Sequence, residues 1–169
     1  YPQQILATTG KNKKEQIVDA IKLLEGTMAL TMSVQSMEQS VLQNIKRDNI
    51  SLDHMMALAP AIKETGLLTK AEVILGLPGE SYQSTLATIR KLVRAEMDDI
   101  TVHTCVLFHG SEMNTPEERK KWNFKTKFRI VPRDFCILSN GKKICEYEEA
   151  IVGSNTLTFE EYVDLRLLA

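Results

Sequence analysis

Three apolar runs of strand length, separated by segments with helical periodicity, constrain the fold of this chain more than any other feature. The runs cover residues 28–34, 71–75 and 100–107. Helices are predicted between and before them, over residues 17–24, from residue 36, over residues 51–66 and from residue 81. Strands that alternate with helices are typical of βαβ units. The sequence therefore predicts an α/β fold with a parallel sheet whose three strands lie side by side in chain order.

Capping patterns give the predicted starts of several helices. Ser36 followed by Gln39 indicates a capping box, and Thr115 followed by Pro116 indicates another helix start. Thr158 predicts the start of a terminal helix in the same way. Residues 128–147 show no regular period, so an irregular tail with a turn at residues 140–141 is predicted.

Composition and charge exclude several classes of protein. Of the 169 residues, 43% are hydrophobic and 25% are charged, an ordinary balance for a globular domain. The formal net charge of −1, with its cations dispersed, argues against nucleic acid as a partner. No apolar run approaches the ~20 residues of a membrane span. The first residue is Tyr1, and we expect the chain to be part of a longer protein.

The cysteines predict neither a disulfide framework nor a zinc site. Cys105, Cys136 and Cys145 are odd in number and widely spaced, so a reducing cytoplasm is the expected compartment. His103 and Cys105 share a face of the third strand, but two ligands without partners favour core packing over a metal site. The basic run 119–121 similarly favours a solvated helix face over an anion-binding patch.

Polar residues at the predicted strand ends are the candidate ligand-binding residues. Ser33 and Gln35 share a face of the first strand, and Glu72, Ile74 and Gly76 share a face of the second. In parallel barrels, ligands bind at the carboxyl ends of the strands. A carboxylate inside the apolar run 71–75 needs hydrogen-bond donors, which the hydroxyls of a ribose can provide.

Three segments in order resemble radical SAM enzymes. They are the Ser-Val-Gln-Ser of residues 33–36, the Val-Leu-Gln-Asn-Ile-Lys-Arg of residues 41–47 and the Glu-Val-Ile-Leu-Gly-Leu-Pro-Gly-Glu of residues 72–80. The resemblance spans residues 5–131. It is closest to cobalamin-binding members such as the anaerobic magnesium-protoporphyrin IX monomethyl ester cyclases, and to the oxygen-independent coproporphyrinogen oxidases.

This resemblance implies a partial TIM-like (β/α) barrel over residues 1–127 and an extension over residues 128–169 that packs on it and ends in a helix. It implies an S-adenosylmethionine site for reductive cleavage to a 5′-deoxyadenosyl radical. Gln35 would contact the ribose or methionine portion, Arg47 the carboxylate and Glu72 the ribose hydroxyls. Ile74 and Leu107 would pack on the adenine. Arginine suits a carboxylate because its planar fork binds both oxygens.

One departure from the family concerns the four-iron cluster. Radical SAM enzymes hold a 4Fe–4S cluster through a CxxxCxxC segment, which is absent from these 169 residues. We expect those ligands in the N-terminal half of the barrel, which would then be the partner of this chain in the parent protein. The parent would use S-adenosylmethionine, the cluster and, as a further candidate, cobalamin. This chain alone is expected to be inactive.

Alternatives remain open from the residues themselves. Glu72 can be a structural carboxylate, Gln35 a ligand-free amide inside the barrel, and Arg47 a solvated residue at a helix end. A non-catalytic α/β module that binds a nucleotide or partner is the competing function. A complete aldolase-like barrel would need ~200 residues or more. The small-molecule substrate is not indicated. Self-association of the open barrel is expected, unless the tail closes it.

Overall fold

A three-stranded parallel sheet forms the centre of the protein. The computed structural model describes Leu23 and residues 30–47 and 68–169. Strands β1 (Leu30–Gln35), β2 (Thr69–Leu75) and β3 (Asp99–Thr104) pair in that order, and both pairs are parallel. The predicted α/β class and strand order are confirmed. The helix predicted over residues 51–66 lies outside the described residues, as does that over residues 17–24 except for Leu23, which is helical.

The two faces of this sheet differ sharply in polarity. Ala71, Val73 and Leu75 of β2 are at most 1% exposed, whereas the residues between them are more accessible. Ala71 and Val73 pack with Leu92 of the helix Tyr82–Arg94, and Leu75 packs with Leu157 and Leu165. Alternation along the strand leaves Glu72 on the opposite, accessible face. One face therefore forms the core, and the other is available to a ligand.

The first described helix begins differently from the prediction. This helix, α1, covers Gln39–Asn44, and its N-cap is Glu38, whose side chain makes no capping hydrogen bond. The N-cap is therefore two residues later than the predicted one, Ser36, whose hydroxyl accepts from the Glu38 N–H at 3.2 Å and donates to Glu80 Oε1 at 3.0 Å. Ser36 thus bonds a backbone N–H just ahead of the helix and, at the same time, a distant side chain.

The three later helices begin where the sequence predicts. Helix α2 (Tyr82–Arg94) follows Ser81. Helix α3 (Pro116–Trp122) follows Thr115 and a short 3₁₀ turn, Glu112–Asn114. Helix α4 (Phe159–Leu168) follows Thr158 in a capping box with Glu161. Each cap hydroxyl or its partner satisfies a backbone N–H that the first helical turn leaves unpaired.

The region predicted to be irregular is an antiparallel hairpin. Strands β4 (Lys125–Ile137) and β5 (Lys143–Gly153) pair along their length, so the prediction of irregular structure for residues 128–147 is wrong. A register irregularity between Ile130 and Phe135 interrupts the alternation that identifies a strand. The turn predicted at residues 140–141 is confirmed, since the Gly141 N–H donates to the Leu138 carbonyl.

The C-terminal part of the hairpin packs against the end of the parallel sheet. The Ile151 N–H donates to the Cys105 carbonyl, and the Leu107 N–H donates to the Glu149 carbonyl, both at 2.9 Å. Leu157 and Leu165 then pack on Leu75. After Thr104 the chain therefore leaves β2 and pairs with β5, so β3 ends earlier than predicted. None of the helices within the described ranges is long and apolar enough to cross a membrane.

An ion pair joins helix α3 to β5. Arg119 donates to both carboxylate oxygens of Glu149, at 3.0 and 2.5 Å, and also to Asn114 Oδ1. This bidentate hydrogen bonding from Arg119 lowers the pKa of the Glu149 carboxyl. The Glu149 side chain is only 15% exposed, so the pair fixes the hairpin to the loop beside the candidate site.

Candidate functional site

A cavity of about 330 Å³ lies at the carboxyl ends of the parallel strands. Three of the residues predicted to bind ligand line it: Gln35, Arg47 and Ile74. Its volume is at the lower end of the range of about 300–1,000 Å³ that is typical of small-molecule sites. The other lining residues come mostly from the segments that follow the strands: Ile45, Leu77, Thr104, Cys105, Val106, Phe108, Ser111 and Met113.

Gln35 reaches the cavity through an irregularity at the end of β1. Ser33 pairs with Glu72 but Gln35 pairs with Val73, so the register of β1 slips between them. Gln35 has a φ of 64°, a left-handed conformation that is uncommon for residues other than glycine. Such a bulge redirects a side chain at the end of a strand. It places an amide donor and acceptor in the cavity lining.

Arg47 contributes a positive charge and an unused donor. Its Nη2 donates to the Ser33 carbonyl at 2.7 Å. Its Nε is buried and, among the residues that the structure describes, has no hydrogen-bond partner. Desolvation by burial lowers the pKa of Arg47, although a guanidinium remains charged at neutral pH. A buried donor without a partner is costly, so an anion in the cavity would relieve that cost.

The apolar wall of the cavity includes Ile74, Leu77 and Cys105. Ile74 is partly buried and packs against the other two, which are 3% and 4% exposed. Desolvation raises the pKa of the Cys105 thiol to about 12, so it stays protonated at neutral pH. A buried, protonated thiol packs as a small apolar group rather than acting as a nucleophile.

Glu72 lies on the accessible face of the sheet, beside the cavity rather than in its lining. Its Oε2 accepts from the Ser33 hydroxyl at 2.9 Å, and its Oε1 lies 3.8 Å from His103 Nε2. The side chain is 38% exposed. The carboxylate therefore does not point into the helix layer. Its predicted contact with a ribose stays a prediction.

Two predicted site residues lie beneath the cavity. Leu107 is 4% exposed and packs in a core cluster with Val41 and Ile151, while the next residue, Phe108, lines the cavity. The switch from β2 to β5 after Thr104 changes which residues face the ligand side. Gly76 has a φ of 93° and lies against Ile151, where a Cβ atom would be 3.3 Å from the Ile151 carbonyl oxygen.

Glu80 is a buried carboxyl that the sequence did not single out. It is 0% exposed and accepts from the Ser36 hydroxyl. Desolvation, only partly offset by hydrogen bonding from Ser36, raises the pKa of Glu80 to about 8. Because Ser36 follows Gln35 and Glu80 follows the end of β2, this contact joins the two segments that border the cavity. The only indication of this buried carboxyl in the sequence was the presence of a carboxylate in the loop of residues 76–80.

The residues present fit S-adenosylmethionine but not an iron–sulfur cluster. The uncompensated Arg47 Nε suits the carboxylate of the cofactor, and the Ile74 wall suits its adenine. Within the described ranges, no three or more His, Cys, Asp or Glu side chains lie close enough together to hold a metal ion. Cys105 is buried, whereas Cys136 and Cys145 lie exposed on the hairpin.

Comparison with known proteins gives two sequence relatives over nearly the whole chain. TokK of Streptomyces tokunonensis, a cobalamin-dependent radical SAM methyltransferase, is 29% identical over 172 residues. The 2-(S-pantetheinyl)-carbapenam-3-carboxylate methyltransferase of Streptantibioticus cattleyicolor is 30% identical over 172 residues. Each match covers 96% of this chain and 24% of the relative, so the chain spans about a quarter of their length. No protein family profile matches the chain.

A solved structure has the same fold. It is the radical S-adenosylmethionine methyltransferase TsrM from Kitasatospora setae, determined with tryptophan substrate and a SAM analog. It aligns with a TM-score of 0.56 and 14% identity, over 92% of this chain and 34% of that chain. Together with the sequence relatives, this likeness supports the radical SAM superfamily for this chain. The closer likeness to the magnesium-protoporphyrin cyclases stays a prediction.

Proposed function

We propose that this chain supplies part of the S-adenosylmethionine-binding surface of a cobalamin-dependent radical SAM methyltransferase. The observation that carries the proposal is the meeting of Gln35, Arg47 and Ile74 in one cavity at the carboxyl ends of β1 and β2. These three residues come from separate segments of the chain, and all three are among the residues that the resemblance to radical SAM enzymes implies for the cofactor site. The names of the two relatives support methyl transfer as the reaction of the longer protein.

Four of the predicted site residues have a chemical role in this proposal. Arg47 binds the carboxylate of the methionine portion through its Nε and charge, and Gln35 hydrogen-bonds the ribose or methionine portion. Ile74 packs on the adenine, and Glu72 accepts from ribose hydroxyls at the edge of the cavity. In the longer protein, the bound cofactor supplies the methyl and radical chemistry. This chain contributes residues that bind and orient the cofactor.

The partner in this proposal is the part of the parent protein that holds the cluster ligands. An N-terminal half of the barrel would contribute the CxxxCxxC segment and the remaining strands, and a cobalamin domain would accompany it. Residues 1–127 would form the matching part of the barrel and residues 128–169 the extension packed on it. Contacts of Ile151, Leu157 and Leu165 with the end of the sheet support the packing of the extension.

Arg47 provides the direct test of the binding site. S-adenosylhomocysteine and adenosine should both bind the purified chain, the former more tightly, because only it carries the carboxylate. Arg47→Ala is expected to reduce the affinity for S-adenosylhomocysteine by roughly tenfold or more, the effect of losing a charged hydrogen bond, and to leave adenosine unchanged. Ligand-observed NMR titration measures both affinities, including weak ones.

Lys46→Ala is the matched control for Arg47→Ala. Lys46 is the adjacent cation, but it is exposed and pairs with Glu112 outside the cavity lining. It should not change either affinity. Equal losses in the two variants would contradict the assignment of Arg47. Tighter binding of ATP than of S-adenosylhomocysteine would favour the non-catalytic nucleotide-binding module instead.

The cluster proposal has a separate test. After anaerobic incubation with iron and sulfide, the chain should retain no stoichiometric iron. It should also show no sulfur-to-iron charge-transfer absorption in the visible range. The variant Cys105→Ser/Cys136→Ser/Cys145→Ser should retain the same background of iron as the wild type. Four irons per wild-type chain, lost in the triple variant, would place the cluster ligands in this chain and refute the proposal.

A further inference from the structure

Gln35 lies at the centre of a tight turn. The Ser36 N–H donates to the Val34 carbonyl at 2.9 Å, which closes a three-residue turn around Gln35 and its φ of 64°. A turn of this kind with a positive φ at its centre is rare and strained. Strained backbone persists only where the surrounding structure holds it in place. Contacts from elsewhere in the fold must therefore fix this turn, and with it the direction of the Gln35 side chain.

Contacts on both sides of Gln35 hold the turn. On the N-terminal side, Arg47 Nη2 donates to the Ser33 carbonyl at 2.7 Å. On the C-terminal side, Ser36 Oγ donates to Glu80 Oε1 at 3.0 Å. Ser36 and Glu80 are both 0% exposed, so water does not compete for their hydrogen bond. Arg47 already belongs to the proposed cofactor site, whereas Glu80 lies outside the lining of the cavity.

Glu80 is itself held in place by backbone contacts. Its N–H donates to the Leu77 carbonyl at 3.0 Å, and its own carbonyl accepts from Thr156 Oγ1 at 2.6 Å. The first contact folds the loop of residues 76–80 on itself, and the second joins it to the segment that follows β5. The Glu80 carboxyl is therefore a fixed point to which the Ser36 hydroxyl is attached.

We infer that Glu80 is a positioning residue, which through the Ser36 hydroxyl holds the turn that directs the Gln35 amide towards the cavity. The inference rests on the proposed S-adenosylmethionine site, to which it adds a residue that does not touch the cofactor. Without the hydrogen bond to Glu80, the strained turn can relax towards ordinary extended backbone. Because the irregularity at the end of β1 sets the direction of the Gln35 side chain, this relaxation would turn the amide away from its ligand contact.

This role requires an acceptor oxygen and not a negative charge. Burial raises the pKa of Glu80 to about 8, so the side chain is neutral at pH 6.5. Its other oxygen, Oε2, is buried and has no hydrogen-bond partner in the described part of the chain. Glutamine offers the same kind of carbonyl oxygen to Ser36 and places its amide group at the position of Oε2. Glu80→Gln should therefore keep the turn intact, whereas Glu80→Ala and Ser36→Ala should release it.

Amide hydrogen exchange at pH 6.5 tests the turn without any ligand. After correction for intrinsic rates, the N–H of residue 36 should exchange at least about tenfold faster in Ser36→Ala and Glu80→Ala than in the wild type. Glu80→Gln should keep the wild-type rate. Thr156→Val is the matched control, because it removes the hydrogen bond to the Glu80 carbonyl and leaves the Glu80 side chain unchanged. The Cys105 N–H, which donates to the Leu75 carbonyl, is the internal reference for the fold as a whole.

Ligand affinity tests whether the effect acts through Gln35. Glu80→Ala should weaken the binding of S-adenosylhomocysteine about fivefold, and Glu80→Gln should restore the wild-type affinity. In a Gln35→Ala background, Glu80→Ala should cause no further loss, because the amide that it positions is already absent. In an Ile74→Ala background, Glu80→Ala should still weaken binding about fivefold, since Ile74 would contact the ligand independently of the turn.

The exchange and binding results separate this inference from the proposed function. If the wild type binds neither S-adenosylhomocysteine nor adenosine, the cofactor site is wrong, and the exchange rates alone decide whether Glu80 holds the turn. If Glu80→Ala does not fold, Ser36→Ala carries both measurements, because it removes only one buried oxygen. An unchanged exchange rate at residue 36 in these variants would overturn the inference. Affinity losses that add to the loss in Gln35→Ala would also overturn it, because Glu80 would then act on the ligand by another route.

Discussion

We expect the stability of this protein to decline as the pH rises from 5 to 8, and we expect Glu80→Gln to remove most of that decline. Burial raises the pKa of Glu80 to about 8, whereas the same carboxyl in the unfolded chain titrates near its ordinary value of 4.5. Between these values the folded protein holds a proton that the unfolded chain has lost. Its stability is therefore greatest at low pH within this window and falls as the pH rises from 5 to 8, by roughly 3 kcal/mol.

The glutamine variant isolates this effect because an amide resembles the protonated acid in size and remains neutral. Wild type and Glu80→Gln should have similar free energies of unfolding at pH 5, and the variant should be more stable at pH 8. Urea denaturation at several pH values gives the comparison. Glu146→Gln, at an exposed position of the hairpin, is the control and should follow the wild type. Parallel curves for wild type and Glu80→Gln would show that Glu80 is not protonated in the fold.

Gly76→Ala is expected to lower the free energy of unfolding by about 3 kcal/mol. A non-glycine residue with the φ of 93° found at Gly76 costs about 1–3 kcal/mol. The added methyl group would also lie 3.3 Å from the Ile151 carbonyl oxygen, so β5 must shift away from the end of β2. Because that contact holds the hairpin to the sheet, the shift also weakens the core around Leu77.

Gly110→Ala separates the crowding from the backbone strain. Gly110 has a similar φ of 78°, but a Cβ atom there would meet nothing within 4 Å. We expect this control to cost only about 1 kcal/mol, the cost of the left-handed backbone alone. Urea denaturation at pH 7 measures both variants. Equal losses would mean that β5 adapts freely to the methyl group and that the close approach at Gly76 has no structural importance.

The parallel sheet and most helix starts could be predicted because their causes are local. The buried run around Val73 and the caps at Ser81, Thr115 and Thr158 can all be recognised within a few residues. The hairpin was missed because the irregularity after Ile130 breaks the two-residue period by which a strand is recognised. The predicted helix start at Ser36 was two residues early, because Glu38 is the N-cap, and no local pattern shows that the Ser36 hydroxyl donates to Glu80, 44 residues away.

The candidate site was predictable to the extent that it follows the ends of β1 and β2. The resemblance selected Gln35, Arg47 and Ile74, and the structure brings all three to one cavity. Leu107 was misplaced because no local pattern shows that the chain leaves β2 for β5 after Thr104. The burial of Glu80 depends equally on tertiary contacts, which periodicity cannot reveal.

At Gln35, the left-handed backbone that brings the side-chain amide to the cavity also lowers the stability of the fold. Glycine would adopt the φ of 64° without strain, but it would bring no amide to the cavity. A side chain at this bulge is thus tolerated by the neighbouring strand rather than required by it. Substitutions that stabilise this protein by relieving backbone strain would therefore first remove a polar residue of the cavity, because Gln35 is both the strained residue of β1 and one of the polar residues that line the cavity.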